Sequence, residues 1–185
     1  MAENDFAAAE RDFAEVLNAN PASVEPRIIA EALRCRAGIA TAKGDLLQAQ
    51  IWAERALAID RTSQCVSGLV DDYELLGSLY LASEKLELAE EALRNVLELK
   101  PKPDQLPVVC RARTNLSFIL RKRGDLKGAT KVMLESLRLA KTLNRAEIVA
   151  THYATLAAIS LTRGQVKRAR ILVKAANAEQ RKKTL

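Results

Sequence analysis

The stretch YELLGSLYLASEKLELAEEALRNVLELKP, residues 73–101, decides the fold. In its second half Leu86, Ala89, Leu93, Val96 and Leu97 form one apolar stripe at helical spacing, the pattern of a helix that buries a single face. In its first half Leu76, Gly77 and Tyr80 share another helical face. A short turn around Glu84 separates the two, so the stretch predicts a helical hairpin. The small Gly77 and Ala89 let its two helices approach closely, with Tyr80 filling the space beside them.

Working outward, the same hairpin recurs. Ala9, Ala49, Ala89, Ala129 and Ala169 are spaced by 40 residues, and Phe6, Leu46, Leu86, Leu126 and Val166 precede them in one register. Small residues at Ala37, Gly77, Ser117 and Ala157 form a second column, and Gly44, Glu84, Gly124 and Gly164 a third. A glycine in that third column ends the first helix of a hairpin in a left-handed cap, and Asp45 or Asp125 directly after it caps the second helix. Pro26, Pro101, Pro103 and Pro107 fall between hairpins, where a missing backbone donor is tolerated. Helices are predicted over 3–18, 26–43, 46–60, 64–83, 86–99, 106–123, 126–142, 145–163 and 166–182. The domain reading is a leading helix within 1–24, a half repeat or a cap, followed by four hairpins over 25–185, at about 25–61, 62–101, 104–142 and 144–183. No hairpin buries its apolar face alone, so the stack is expected to be continuous. The half-length leader favours a chain cut from a longer array over a cap.

Composition agrees with an all-α fold. Only five prolines and seven glycines interrupt 185 residues rich in Ala, Leu, Glu, Lys and Arg, while aromatic residues make up 4%. The net charge of +6 hides an asymmetry. Residues 1–100 hold 10 Lys and Arg against 18 Asp and Glu, net −8, whereas residues 101–185 hold 19 against 5, net +14. Such bipolarity steers an acidic partner to one half or lets copies of the chain meet head to tail, which makes self-association a second expectation. Cys35, Cys65 and Cys110 are scattered and form no CxxC pair, so a reducing, cytoplasmic setting is expected, with no disulfide framework and no zinc site. The acidic N-terminus lacks the basic region of a signal peptide, and no apolar run reaches the roughly 20 residues that span a bilayer. A soluble, non-secreted protein without a membrane partner is expected.

The residues Tyr73, Leu76, Gly77, Tyr80, Ala89, Leu93 and Pro101 resemble the tetratricopeptide repeat (TPR), which joins an aromatic and a Leu-Gly-x-x-Tyr element to an Ala and a proline further on. The resemblance extends over residues 5–182. Elsewhere the chain departs from the pattern: Arg36 and Arg113 stand where apolar residues are expected, and Ala53 replaces a bulky one. The usual TPR period is roughly 34 residues. A period of 40 implies longer helices or loops, similar to arrays in kinesin light chains, spindle-orientation adaptors and maltose-type bacterial transcription activators. The resemblance implies a right-handed α-solenoid of TPR-like hairpins, whose concave groove binds an extended segment or helix of a partner protein.

Chemistry for catalysis is sparse. His152 is the single histidine, so any Ser-His or Cys-His nucleophile depends on it alone; beside Tyr153 on a helix it reads as a packing residue. No GxxxxGK[ST] or GxGxxG loop is present, and Asp71 and Asp72 point to different sides of a helix, where they cap or solvate it. With Leu76, Gly77 and Tyr80 facing the partner helix, the 100° turn per residue puts Asp71, Leu75, Ser78 and Ala82 on the groove face. Glu74 adjoins them. The same register in the next hairpin gives Arg111, Asn115, Phe118 and Lys122, flanked by Thr114 and Arg121. These supply cations for carboxylates, an amide for peptide backbone and an aromatic for apolar contact. The resulting expectation is a non-enzymatic scaffold or adaptor, without cofactor or metal, that binds an acidic or carboxylate-ended protein or peptide. The clusters Arg121-Lys122-Arg123, Lys167-Arg168-x-Arg170 and Arg181-Lys182-Lys183 leave two other readings, an RNA-binding α-solenoid and a regulatory TPR segment of a larger transcription regulator. Sparse aromatics argue against stacked single-stranded nucleic acid.

Overall fold

The computed structural model describes residues 13–15 and 24–181. Residues 13–15 are helical, and the remainder of the expected leading helix lies outside the described residues. Eight α-helices follow: α1 (Pro26–Ala42), α2 (Leu46–Thr62), α3 (Val66–Ala82), α4 (Leu86–Glu98), α5 (Leu106–Lys122), α6 (Leu126–Thr142), α7 (Ala146–Thr162) and α8 (Val166–Arg181). The described residues contain no strand, and the bounds lie within two residues of those expected.

Helix starts recur every 20 residues, so the sequence period of 40 is two helix-and-turn units. The turns enforce it. Gly44, Gly124 and Gly164 have φ of 81°, 83° and 69°. After Gly44 the Asp45 amide donates to the Ala40 carbonyl at 2.9 Å, while the Gly44 amide donates to Thr41 at 3.0 Å. This paired closure satisfies carbonyls that the end of α1 leaves open. Asp45 Oδ1 then accepts from the Gln48 amide at 3.0 Å, and Asp125 Oδ1 from the Gly128 amide at 2.8 Å, as the sequence predicts. Two details differ from expectation. Left-handed residues also close the turns between hairpins, at Gln64 (φ 54°) and Asn144 (φ 52°), and a non-glycine, Glu84 (φ 58°), takes the third-column position. The same six-residue closure, such as Cys65 amide to Asp60 carbonyl at 2.9 Å, stabilises a backbone that costs a non-glycine residue about 1 kcal/mol. Pro26 and Pro107 lie inside the first turns of α1 and α5, not in loops, because those positions need no intrahelical donor. Pro101 and Pro103 do lie between helices; α4 ends early at Glu98, and a 3-10 turn over Pro103–Gln105 restores the register for α5.

Two compact units divide the chain at 101/102, and the division coincides with the switch from net −8 to net +14. In the first unit α1 packs on α2, α2 on α3 and α3 on α4, with α1 also touching α3. Ala37, Ala49, Gly77 and Ala89 are all buried. A Cβ added at Gly77 would stand 2.7 Å from both Cγ and Cδ2 of Leu93, so only glycine admits that leucine. Arg36, one departure from the pattern, stacks on the neighbour of another, Ala53. Trp52, next to Ala53, lies under the Arg36 guanidinium at 4.2 Å, with Arg55 at 5.0 Å, while Ala53 itself is fully buried. In the second unit α5 packs on α6, α6 on α7 and α7 on α8, with α5 touching α7. Ser117, Ala129, Ala157 and Ala169 continue the two small columns, all buried among larger residues such as Leu116, Ile119, Met133, Leu156 and Ile159.

Gly77→Ala and Ala89→Leu should each lower stability by about 1–3 kcal/mol through overpacking. Gly38→Ala is the contrast: an added Cβ there meets nothing within 4 Å, and helix propensity should raise stability by up to about 1 kcal/mol. Thermal melts of the three variants in which Gly77→Ala and Gly38→Ala shift the same way would contradict the packing described.

Candidate functional site

Helix α5 buries Val109, Ala112, Leu116 and Ile119 and turns its opposite side outward. Arg111, Phe118 and Lys122 are exposed there, and Thr114, Asn115 and Arg121 are half-buried, so all six lie on one helix over three turns. Phe118 keeps 38% of its surface accessible, with the Arg121 guanidinium 5.7 Å and the Lys122 ammonium 5.4 Å from its ring centre. Two cations thus flank one exposed aromatic. The Thr114 hydroxyl is already committed, donating to the Cys110 carbonyl at 2.9 Å. Arg111 and Asn115 have interactions within the fold, so a ligand would share or displace them.

The other three candidates lie on α3, in the first unit. Asp71 and Ser78 are half-buried, whereas Glu74 is only 7% exposed and its Oε1 accepts from the Ser78 hydroxyl at 3.2 Å. Burial makes Glu74 part of the packing as much as of a surface.

Asp72 overturns its expected role as a capping or solvated carboxylate. It is fully buried, as is Asp60 from α2, and both face the Arg34 guanidinium of α1, whose Nη1 donates to Asp60 Oδ2 at 2.6 Å and to Asp72 Oδ1 at 3.0 Å. Asp60 is pressed against the backbone of Gly68, where any side chain would collide with its carboxylate. One cation serves two buried acids. Burial pushes the Asp72 carboxyl up to about 7; the Arg34 hydrogen bond and charge pull the other way, and Asp60 beside it adds to the rise. Spacing in sequence gave no sign of this cluster, because its members are 26 and 38 residues apart.

His152 is 1% exposed, and its Nε2 lies 2.7 Å from the hydroxyl of the fully buried Ser136. The two residue types of a nucleophilic dyad meet, yet both are sealed inside the second unit and His152 Nδ1 has no hydrogen-bond partner. This is a packing contact. Burial pushes the imidazole down to about 4, and the positive charge of Arg113 contributes. Among the described residues no three His, Cys, Asp or Glu side chains come together to hold a metal, and no helix is long and apolar enough to cross a membrane. Cys35 is exposed, Cys65 half-buried and Cys110 buried, none in a disulfide. Lys167, Arg168 and Arg170 are exposed on α8, while Lys182 and Lys183 lie outside the described residues.

Residues 73–103 match the family model described as a tetratricopeptide repeat, which is the segment carrying the motif. By structure, the chain is similar to BtubC (BKLC) from P. vanneervenii, at TM-score 0.85 and 18% identity over 99% of this chain and 76% of that one. It is similar to MamA at TM-score 0.70 and 18% identity, covering 99% and 93%. A further likeness is to the kinesin-light-chain TPR-like repeats of Podosopora anserina, at TM-score 0.73 and 16% identity, covering 98% and 90%. At these identities the likeness establishes the fold, that of TPR-like helical hairpins. No match is found among curated proteins by sequence.

The two buried groups titrate with opposite consequences. Asp72 has a folded-state value above its unfolded one, so its contribution is fully present below about pH 4 and is lost as pH rises through about 7. Stability measured from pH 5 to 8 should therefore fall less steeply in Asp72→Asn than in wild type, and Arg34→Met, which strands both carboxylates, should cost about 3–5 kcal/mol at pH 8. His152 has a folded value below its unfolded one, so its contribution is present above about pH 6.5 and is lost as pH falls through about 4. Acid unfolding of the second unit should lose on the order of 3 kcal/mol across that window, and His152→Gln should flatten it. Unchanged pH slopes in both variants would contradict these assignments.

Proposed function

We propose that this tetratricopeptide-repeat chain is a non-enzymatic scaffold that holds an acidic or carboxylate-ended protein segment against α5. The observation that carries the reading is the exposed Phe118 ring between Arg121 and Lys122, on the same side of the helix as Arg111 and Asn115, in a unit of net charge +14. Long-range charge speeds the encounter, and guanidinium and amide groups then fix the bound segment by directed hydrogen bonds. The aromatic supplies apolar contact that a purely ionic surface lacks. Asp71, Glu74 and Ser78 on α3 line the equivalent face of the first unit in this reading. The acidic first unit of another copy is itself a candidate ligand, which keeps self-association within the same chemistry. Assembly into a larger transcription regulator would use the same surface. An RNA-binding role draws support from the charge of the second unit, but only Phe118 offers a base a ring on α5.

Binding of an acid-rich peptide with a free C-terminal carboxylate, followed kinetically beside its amidated form, tests the reading. Raising salt should slow association, since screening acts within about 8 Å at physiological ionic strength, while part of the affinity survives. Asn115→Ala should speed dissociation by about fivefold, equivalent to about 1 kcal/mol, without altering the salt dependence. Arg111→Ala should weaken binding, and Lys167→Glu on the exposed surface of α8 is the control. The assignment to α5 fails if Lys167→Glu weakens binding as much as Arg111→Ala while Asn115→Ala has no effect.

A further inference from the structure

Helix α6 turns Ala129, Met133, Ser136, Leu137 and Ala140 into the core, and its other side carries an arrangement that the α5 surface does not involve. Lys127, Lys131, Leu134 and Arg138 follow one another at intervals of four, three and four, a straight stripe of about 16 Å along the helix. All four are exposed, and the wall they form is completed by Arg163 at the end of α7. Between them lies an open cleft of about 400 Å³.

Its lining has three properties that together specify an occupant. The side chains of Lys127, Lys131, Arg138 and Arg163 form no ion pair or hydrogen bond with the described residues, and one carboxylate, Glu135, shares their wall, so cationic charge is in excess. The centre is apolar: Leu134 keeps 37% of its surface accessible in the middle of the stripe. The remaining polar groups are not cationic. The Thr130 hydroxyl already donates a hydrogen bond to the Leu126 carbonyl at 2.7 Å, and Glu135 brings one carboxylate to the wall. A nucleic acid fits this lining poorly, because no aromatic ring is present for a base and Glu135 repels a phosphate chain. An acidic protein segment fits it well. Its carboxylates meet Lys127, Lys131, Arg138 and Arg163, an apolar side chain covers Leu134, and its backbone or a basic residue meets Glu135.

We infer that the outer face of α6, with Arg163, is a second binding site, for an acidic protein segment that carries an apolar side chain between its carboxylates. The site stands independently of the α5 assignment, since it lies on another helix and requires no free carboxylate terminus.

The test uses the intact chain and a fluorescent, C-terminally amidated peptide in which glutamates alternate with leucines at helical spacing, read by anisotropy. Lys131→Glu combined with Arg138→Glu should reduce affinity at least tenfold. Leu134→Ser should reduce it severalfold, as should replacing the peptide leucines by serine. The same tenfold loss should appear when the double reversal is made in an Arg111→Ala chain, which separates this site from the α5 surface. All altered residues are exposed, and unchanged thermal melts confirm that each variant is folded. The proposal is overturned if the double charge reversal has no effect, or has none in the Arg111→Ala chain. It is also overturned if Leu134→Ser and the serine peptide bind as wild type, which would mean diffuse attraction without a cleft. Finally, an RNA oligonucleotide that binds more tightly than the peptide at physiological salt, and loses affinity in the same double variant, would replace the protein segment as the occupant.

Discussion

Close approach of paired helices is the constraint on which the rest depends. Where α3 crosses α4, Gly77 leaves room for Leu93, and an added Cβ would also come within 3.6 Å of the Ala89 carbonyl. The small columns through Ala37, Gly77, Ser117 and Ala157 and through Ala49, Ala89, Ala129 and Ala169 are buried in every described hairpin. They remain aligned because helix starts recur every 20 residues from α1 to α8, even where α4 is shorter and its connection to α5 longer. Left-handed residues at Gly44, Gln64, Glu84, Gly124, Asn144 and Gly164 reset the helix that follows at the same phase, while between α4 and α5 the left-handed residue is Lys100, followed by the 3-10 turn. A glycine there is convenient but not required, since the closing amide-to-carbonyl bonds hold the turn even when the residue bears a side chain.

Once backbones are this close, the interiors of the two units differ mainly in how they handle polar groups. In the first, Arg34 faces two buried carboxylates, and a site with one positive and two negative charges relieves the excess by holding a proton near neutrality. Gly68 is the backbone counterpart of that arrangement, leaving Asp60 the space that a side chain would fill. In the second, an uncharged histidine meets a serine, and Arg113 nearby reinforces its neutrality. Similar helical frames therefore carry opposite pH responses. Neither group is exposed enough to meet a ligand, unlike the residues on the outer faces of the helices.

Charge and contact chemistry divide those outer faces. Residues 102–185 gather the basic excess, and two of their helices present it in distinct forms: α5 as cations around an aromatic ring, α6 as cations around a leucine at an open cleft. Under the two proposals made above, one acidic partner held at both points would gain avidity beyond either contact alone. The acidic first unit has a different surface chemistry. Its tyrosines Tyr73 and Tyr80 are already engaged, Tyr73 by Arg61 at 2.8 Å and Tyr80 by Glu54 at 3.3 Å.

The sequence by itself determined the eight described helices from α1 to α8, their bounds to within two residues and the two small columns they carry, because each rests on local rules: apolar spacing, cap chemistry and the absence of side-chain bulk at fixed intervals. It also placed Arg111, Asn115, Phe118 and Lys122 on one face, since helical phase follows from spacing alone. What it left open depended on which distant residues meet. The stacking of Arg36 on Trp52, the sharing of Arg34 by Asp60 and Asp72, and the contact of Ser136 with His152 each join different helices, and no periodicity encodes them. The cleft beside α6 needs Arg163 from the end of α7 as well as the α6 stripe. Tertiary structure alone decided these, because burial and a neighbour's charge, not the local chain, set whether a carboxylate is solvated or protonated and whether a lysine lies on a plain surface or in a cleft.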